Sequence, residues 1–210
     1  ISNLLTQTQV TLSAKRDADT YRDTLASNAE ELQRLARMVA DMLFLAKTER
    51  GVDLPHKELF SAAGEVQALV EFYDAVAEEK GIRLGVQGDG DIQGDRLMFR
   101  RAVSNLLSNA IRHTPEMGAV QIYVSSDEEA VEVTVENTGR EIDPKDLSRV
   151  FDRFYRADPS RTHPGSDGAG LGLSITKAIV EAHGGTVSAH SSQGRTRFTL
   201  VFPCPRLQGI

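Results

Sequence analysis

The stretch from Leu97 to Pro115 constrains the fold more than any other part of this 210-residue chain. On a helical wheel, one side of this stretch is apolar, and the opposite side carries two asparagines four residues apart, Asn105 and Asn109. Asparagine is a poor helix former, so the pattern indicates that these side chains serve a purpose other than helix stability. The apolar residues recur at the three- and four-residue spacing of a buried helix stripe; they are Val103, Leu106, Leu107, Ala110 and Ile111.

Two asparagines on one helix face predict either a ligand site or a neutral polar surface. Their amide oxygens can ligate a hard cation, and their N–H groups can donate to an anion. Taken alone, Asn105 and Asn109 leave both alternatives open.

A second feature lies downstream, where Gly168, Gly170 and Gly172 alternate directly before an amphipathic run from Leu173 to His183. Glycines at the start of a helix let the backbone approach a phosphate and point free N–H groups at it. By itself such a triplet usually indicates a flexible loop. Together with the asparagine-bearing helix it favours a nucleotide site.

In these motifs the chain resembles the ATP-binding domain of sensor histidine kinases. The matching segments follow the family's order and spacing: Ser104–Pro115 is the N box, Val135–Ile142 the first glycine box, Phe151–Arg156 the F box and Asp167–Leu173 the second glycine box. The resemblance implies an α+β fold in which residues 59–205 form a two-layer α/β sandwich, the Bergerat or GHKL fold. It also implies ATP and Mg²⁺ as cofactors.

The resemblance assigns roles to residues of these boxes. Asn109 is expected to ligate Mg²⁺, with ATP phosphate oxygens and waters completing the octahedral shell. Asn105 and Arg112 are expected to hold the phosphates, and Asn137 to accept a hydrogen bond from the adenine amino group. The residues expected to bind ATP are Asn105, Asn109, Arg112, His113, Asn137, Gly139, Ile142, Arg153, Tyr155, Arg156, Arg161, Gly168, Ala169, Gly170, Leu171, Gly172, Leu173 and Thr196.

Two residues of this set, His113 and Thr196, need separate comment. His113 takes a position where the family often has an aromatic ring against the adenine, and it either stacks there or is an ordinary surface histidine. Thr196 matches the family's Gly-Thr-x-Phe strand start and is expected to touch phosphate.

The first glycine box departs from the commoner family form, an aspartate followed by Asn-Gly-x-Gly. Asn137 replaces the aspartate, and Glu141 replaces the second glycine. A neutral amide accepts a weaker hydrogen bond than a carboxylate does, so weaker adenine binding is expected. This variant, with the Phe-Asp-Arg-Phe-Tyr-Arg and Asp-Pro-Ser-Arg segments after it, is similar to the heavy-metal (copper and silver) sensor kinases.

Residues 155–168 are rich in charged residues, proline and glycine, and they are expected to form a mobile loop. Phe151 and Phe154 are expected to anchor the base of this loop in the core. Arg153, Arg156 and Arg161 are expected either to reach the γ-phosphate as the loop closes or to be solvated.

One position separates two types of reaction. Related ATPases with this fold, such as gyrase and MutL, carry a glutamate as general base four residues before the Mg²⁺-binding asparagine. Asn105 takes that position here, and an amide has no pKa suited to removing a proton from water. The resemblance therefore implies phosphoryl transfer to a histidine, with slow hydrolysis.

The remaining pattern of residues 59–205 predicts a mixed, mostly antiparallel sheet. A helix is expected at Glu65–Lys80, ended by Gly81, and a short helix at Asp143–Val150 opened by an Asp-Pro N-cap. Gly88–Gly94 is expected to be a turn-rich connection. The expected strands are Ile82–Val86, Val120–Ser125, Val131–Glu136, Thr186–His190 and Thr196–Phe202.

The pattern of residues 1–50 predicts a helical hairpin, with one helix over Ile1–Ala14 and a second over Asp19–Arg50. Residues 51–58 are expected to be a linker and residues 206–210 a tail. Two such helices cannot bury their own apolar seam, so pairing with a second copy as a four-helix bundle is expected. The alternative is packing on the rest of the chain. The seam consists of Leu25, Asn28, Leu32, Leu35, Val39 and Met42.

The hairpin resembles the dimerisation and phosphotransfer domain of histidine kinases. That family's phosphoacceptor motif, His-Glu-x-x-Thr-Pro, is expected just upstream of Ile1, and none of the five histidines here lies in such a motif. The chain alone is therefore not expected to phosphorylate itself, and no catalytic residue is assigned within it. A response-regulator receiver domain is the expected phosphoryl acceptor of the parent protein.

The composition of the chain narrows the classes of protein to which it can belong. The formal charge of −6 argues against a nucleic-acid surface, and a single cysteine, Cys204, fits a reducing cytosol. No apolar run approaches the roughly 18–20 residues of a membrane span. Because the chain begins at Ile1 and not at a methionine, it is expected to be a fragment of a longer protein. The resemblance implies that this fragment is the cytoplasmic part of a membrane-anchored sensor. The alternatives are a nucleotide-binding adaptor or degenerate kinase, and a hydrolytic GHKL ATPase.

Overall fold

A computed structural model describes residues 2–48, 54, 56–156 and 170–204. The chain divides into two compact units, Ile1–Phe44 and Leu45–Ile210. No helix in the described ranges is both long and apolar enough to cross a membrane.

The first unit is a helical hairpin, as predicted, made of α1 (Ser2–Leu12) and most of α2 (Ala18–Thr48). The facing sides of the two helices are polar: Asn28 Nδ2 donates to Thr8 Oγ1 at 3.0 Å, and the Thr11 and Thr24 hydroxyls lie 3.3 Å apart. Several large apolar side chains are instead exposed, among them Leu5, Leu12, Leu25, Leu32 and Val39. The hairpin therefore does not bury its own apolar residues.

The second unit consists of β1 (Glu58–Ser61), α3 (Ala62–Glu79), β2 (Arg83–Gly88), β3 (Asp91–Gly94), α4 (Arg96–His113), β4 (Ala119–Ser126), β5 (Ala130–Thr138), α5 (Pro144–Leu147), α6 (Gly172–Ala182), β6 (Thr186–Ser192) and β7 (Arg195–Pro203). Five of the strands form one sheet in the order β2-β4-β5-β7-β6. Only β2 and β4 run parallel, and the other neighbours are antiparallel. A separate two-stranded sheet joins β1 and β3.

Helices α3, α4 and α6 pack on one face of the large sheet, which makes the two-layer α/β sandwich that the sequence predicts. Phe99 of α4 meets Phe202 of β7 with ring centroids 5.6 Å apart. The predicted stripe of α4 is buried along its whole length. Alternate residues of the central strands are buried beneath it, among them Val131, Val133, Val135, Phe198 and Leu200.

The other face of the sheet is polar. Glu136 on β5 is buried there and forms ion pairs with Arg195 and Arg197 of the neighbouring strand β7. Burial by itself raises the pKa of Glu136, but the hydrogen bonds and charges of the two arginines outweigh burial and hold that pKa below its usual value. This face therefore needs no second layer of helices.

Helix boundaries follow from local capping. Asp95 accepts a hydrogen bond from the Met98 N–H at 2.9 Å and begins α4. Gly81 has φ +63 after the last turn of α3, and Asp143 with Pro144 opens α5, both as predicted. The sequence pattern does not predict the short strands β1 and β3. Its prediction of a turn-rich connection over Gly88–Gly94 is wrong for Asp91–Gly94, which pairs with Glu58–Ser61 as a strand.

Three hydrogen bonds fix α4 antiparallel to α6. His183 Nε2 accepts from the Asp95 N–H at 3.0 Å, and Asn105 Nδ2 donates to the Gly172 carbonyl at 3.1 Å. The Thr176 hydroxyl shares its single hydrogen between the Ala102 carbonyl at 3.3 Å and the Gly172 carbonyl of its own helix at 3.0 Å. Each bond between the two helices joins one side chain to a backbone group of the other helix or its cap. The two helices therefore have one defined register.

His183 is held as a neutral ring at one end of this pair. Because Nε2 accepts from the backbone N–H of Asp95, the ring proton lies on Nδ1, which donates to the Ile179 carbonyl at 2.7 Å. The ring also packs edge-on against Phe202, with centroids 5.5 Å apart. Burial lowers the pKa of His183, and the Ile179 carbonyl and Asp95 oppose this shift only in part.

Replacing His183 with glutamine is expected to flatten the pH dependence of stability. The folded state holds the pKa of His183 below its ordinary value of 6.5. The neutral ring therefore contributes stability that is present above that value and is lost as the pH falls below it. Denaturant unfolding between about pH 7.5 and about pH 5 is expected to show a steeper loss of unfolding free energy for the wild type than for His183→Gln.

His190→Gln is the matched control, because His190 is an exposed histidine on β6. This variant is expected to keep the wild-type slope. Equal slopes for the wild type and His183→Gln would contradict the account of the buried neutral ring.

Candidate functional site

Asn105, one of the two asparagines of α4, lies beside the start of α6. Asn105 reaches the first residue of α6 through its hydrogen bond to the Gly172 carbonyl at 3.1 Å. Asn109, one turn further along α4, is partly exposed. The fold thus brings the asparagine face of α4 to the end of the glycine-rich segment, although the two are far apart in sequence.

The entry to α6 requires glycine at Gly170. This residue has φ +71, and an added Cβ would lie 2.9 Å from the carbonyl carbon of Phe154. Its carbonyl accepts from the Phe154 N–H at 3.0 Å. The following residue, Leu171, is the N-cap of α6 and supplies no side-chain acceptor to the first turn. Such a helix start suits an anionic ligand.

Asn137 forms the other end of the site, on β5. It is buried, and its Nδ2 donates to the Thr138 carbonyl at 3.1 Å, which leaves Oδ1 as its free acceptor among the described residues. Thr196 is its partner on β7 and is also buried. Thr196 therefore lies beside Asn137.

The hydroxyl of Ser191, which the sequence analysis did not identify, joins Ile142 to Thr196 beside Asn137. Ser191 Oγ accepts from the Ile142 N–H at 2.9 Å and lies 2.9 Å from Thr196 Oγ1. Ile142, Ser191 and Thr196 thus form one hydrogen-bonded group next to Asn137. The register of β6 with β7 places Ser191 there, and no local sequence motif marks it.

The loop after β5 packs against the end of α4. An added Cβ at Gly139 would lie 2.8 Å from the His113 carbonyl and 3.6 Å from Asn137 Nδ2. The Gly139 N–H donates to the Gly194 carbonyl, and the Gly194 N–H donates to Glu141 Oε1, both at 2.9 Å. Glu141, which replaces the family's second glycine, therefore holds the β6–β7 turn.

Arg112 and His113 are exposed at the last turn of α4, close to this loop. A guanidinium at that point can pair with an anion bound between α4 and α6. Asn109 and Arg112 thus lie on the part of α4 that separates the Asn137 region from the start of α6.

The prediction for the F box was right for Phe151 and wrong for Phe154. Phe151 packs edge-on against Phe198, with centroids 6.1 Å apart, whereas Phe154 is 54% exposed. Phe154 has φ +60, the backbone conformation in which its N–H donates to the Gly170 carbonyl. The backbone bond, and not burial of the ring, thus ties this segment to the start of α6.

Tyr155 is bound to α5. Its hydroxyl donates to Asp146 Oδ1 at 2.6 Å, and the Arg149 guanidinium lies over its ring at 4.5 Å. The hydrogen bond to the Asp146 carboxylate raises the pKa of Tyr155 above its usual value. Tyr155 therefore anchors the F box to α5.

The structure describes some of the remaining predicted ATP-binding residues and not others. Arg153 and Arg156 are exposed, and Leu173 is partly exposed in the first turn of α6. The predicted residues Arg161, Gly168 and Ala169, and the loop expected over 155–168 beyond residue 156, lie outside the described residues.

A cation at this site would depend on few protein ligands. Within the ranges that the structure covers, no group of three or more His, Cys, Asp or Glu side chains is placed to hold a metal ion. The Asn109 amide oxygen is a suitable ligand for Mg²⁺, which commonly takes most of its other ligands from bound phosphate and water. The donor set therefore fits a magnesium ion that arrives with a phosphate ligand.

Comparison with known proteins gives a consistent result. Residues 94–206 match the family described as histidine kinase-, DNA gyrase B- and HSP90-like ATPases. The chain is 48% identical over 204 residues to the sensor histidine kinase CusS of Escherichia coli O157:H7, a match that covers 97% of this chain and 42% of the relative. This chain thus spans less than half of that relative's length.

Two solved structures share the fold. Full-length ShkA in complex with AMPPNP has a TM-score of 0.76 at 26% identity, covering 91% of this chain and 40% of that chain. The histidine kinase ThkA in complex with the response regulator protein TrrA has a TM-score of 0.71 at 19% identity, and the match covers 99% of this chain and 60% of that chain.

Gly170→Ala is expected to lower the free energy of unfolding by about 1 kcal/mol or more, because the new Cβ meets the Phe154 backbone at a positive φ. Gly64→Ala is the matched control, since Gly64 lies in α3 and its new Cβ would only touch Ser61 Oγ at 3.4 Å. That variant is expected to be neutral or more stable by up to about 1 kcal/mol. Denaturant unfolding measures both, and a Gly170→Ala variant as stable as the wild type would contradict the packing described.

Proposed function

Because the chain belongs to the family of histidine kinase-, DNA gyrase B- and HSP90-like ATPases, we propose that it is the catalytic part of a sensor histidine kinase. In this proposal residues 59–205 bind Mg·ATP and transfer its γ-phosphoryl group to a histidine. The observation that carries it is the Asn105–Gly172 hydrogen bond, which joins the asparagine face of α4 to the glycine entry of α6.

In this proposal the nucleotide lies between Asn137 and the start of α6. Asn137 Oδ1 accepts from the adenine amino group, since Nδ2 is already bound to the Thr138 carbonyl. The phosphates lie near the start of α6, where backbone N–H groups and Arg112 offset their charge. Asn109 would hold the Mg²⁺, and the ion would offset the negative charge that develops during transfer. ShkA, of similar fold, binds the ATP analogue AMPPNP, which supports this assignment.

The composition of the site favours transfer over hydrolysis. Asn105 takes the place of the general base of related ATPases, and an amide cannot remove a proton from water. Its Nδ2 instead donates to the Gly172 carbonyl, so Asn105 positions α6 against α4. The site then contributes mainly position and charge, and the acceptor histidine is itself the nucleophile.

The proposal extends to the partners of the parent protein. The exposed apolar side chains of the hairpin support a homodimer, and the ThkA–TrrA complex supports a response-regulator receiver domain as the next acceptor. A membrane-anchored sensor with this part on the cytoplasmic side rests on the resemblance to the sensor histidine kinases. A response to copper or silver ions rests on the resemblance of the first glycine box to heavy-metal sensor kinases.

Phosphoryl transfer is expected to exceed phosphate release. The chain is incubated with Mg·ATP labelled at the γ-phosphate and with a separate helical-hairpin protein that carries a His-Glu-x-x-Thr-Pro motif. Label is expected on that protein, with little free phosphate, because no carboxylate occupies position 105. Asn109→Ala is expected to slow the transfer at least roughly tenfold.

Ser108→Ala is the matched control, since Ser108 is the partly exposed neighbour of Asn109 on α4. It is expected to transfer at the wild-type rate. Fast phosphate release would instead support a hydrolytic ATPase, and ATP binding without any transfer would support a nucleotide-binding adaptor or degenerate kinase.

A further inference from the structure

The turn between β6 and β7 has one peptide group that its own hairpin does not use. Its two central residues, Gln193 and Gly194, have φ +52 and φ +69, and Ser192 pairs with Arg195 on either side of them. A positive φ at both positions is what a two-residue type I′ turn requires. In such a turn the ladder hydrogen bonds belong to the flanking pair, so the N–H and the carbonyl of Gly194 need other partners.

The loop that follows β5 supplies both partners. The Gly194 carbonyl accepts from the Gly139 N–H, and the Gly194 N–H donates to Glu141 Oε1, both at 2.9 Å. One residue further on, the Ile142 N–H donates to Ser191 Oγ of β6 at 2.9 Å. We call these three hydrogen bonds the Gly194 clamp. Among them, the Glu141 bond is the one that a side chain of the loop makes.

The clamp adjoins the adenine end of the proposed nucleotide site. Asn137 comes two residues before Gly139 and is the β5 partner of Thr196 on β7. Ser191 Oγ, which accepts from the Ile142 N–H, also lies 2.9 Å from Thr196 Oγ1. The loop therefore begins and ends beside the residues that face the base, and its shape sets where they lie.

A glycine at position 141, as in the commoner family form, would remove two restraints on this loop. It would supply no acceptor to the Gly194 N–H, and it would give the backbone more freedom in the free protein. Ordering such a loop when a ligand binds costs free energy and lowers the affinity. The Glu141 side chain is exposed, so its single hydrogen bond is expected to change the affinity by a modest factor.

We propose that Glu141 is a positioning residue for nucleotide binding, which holds residues 139–142 in the shape that receives the base before the nucleotide arrives. This role rests on the proposed nucleotide site, and Glu141 acts in it through Gly194. The restraint offsets the weaker hydrogen bond that the neutral amide of Asn137 offers to the adenine. Replacement of the family's second glycine by Glu141 thus strengthens nucleotide binding.

Two neutral variants of the full chain test the clamp. Glu141→Gln keeps an oxygen that can accept from the Gly194 N–H, Glu141→Ala does not, and both remove the same formal charge. In calorimetric titration with AMPPNP and Mg²⁺, Glu141→Ala is expected to raise the dissociation constant roughly three- to tenfold. Glu141→Gln is expected to stay within about twofold of the wild type. Glu141→Gly is expected to bind at least as weakly as Glu141→Ala, because it also frees the backbone.

Glu128→Gln and Glu128→Ala are the matched controls. Glu128 is an exposed glutamate in the turn between β4 and β5, at the opposite end of β5 from Thr138. Both variants are expected to bind AMPPNP like the wild type, because they remove the same charge away from the Gly194 clamp.

Denaturant unfolding of the nucleotide-free chain separates positioning from a purely structural role. A clamp that only stabilises the fold would lower the free energy of unfolding and leave the affinity unchanged. A Glu141→Ala variant that binds AMPPNP like the wild type would therefore overturn the inference and leave the nucleotide site in place. A Glu141→Gln variant that binds as weakly as Glu141→Ala would overturn it too, because the acceptor would then not matter.

The wild type distinguishes this inference from the proposed function. A wild type that binds no AMPPNP would overturn both the nucleotide site and the role of Glu141. A wild type that binds AMPPNP but transfers no phosphoryl group from ATP would overturn only the kinase reaction. The order of affinities among the Glu141 variants would then still support or contradict the clamp.

Discussion

The antiparallel packing of α4 against α6 is the interaction on which the candidate site depends. Asn105, Thr176 and His183 each bond a backbone group across this pair, near the middle of α4 and at its beginning. Hydrophobic packing alone tolerates small sliding of one helix on another. Directional bonds to fixed carbonyl and N–H groups do not, so the asparagine face of α4 has one position relative to the glycine entry of α6.

The same constraint explains why neutral amides serve this site. A magnesium ion that arrives with a triphosphate brings most of its own ligands, and the protein needs only one oxygen, placed firmly. Asn109 can supply that oxygen, while Asn105 uses its amide to hold α6. A carboxylate at position 105 would repel the Gly172 carbonyl and would provide a base for water. The amide thus favours both the packing and a non-hydrolytic reaction.

The sequence predicted the parts of the fold that depend on local pattern. The stripe of α4, the glycine that ends α3, the Asp-Pro start of α5 and the five strands of the large sheet all follow from spacing and capping. What it missed depends on tertiary contact: β1 and β3 are too short for a periodic signal, and Ser191 reaches the site only through strand register. Phe154 has an exposed ring and a positive φ, and its backbone N–H donates to the Gly170 carbonyl, a tertiary contact that composition does not reveal.

Calorimetric titration with a non-hydrolysable ATP analogue, with and without Mg²⁺, tests the central claim most directly. The wild type and Ser108→Ala are expected to bind the analogue more tightly with Mg²⁺, and Asn109→Ala is expected to weaken that binding by roughly tenfold or more. Absence of binding by the wild type would contradict the account, as would an Asn109→Ala variant that keeps the full magnesium dependence. In the first case the replacements at Asn137 and Glu141 would have disabled the site.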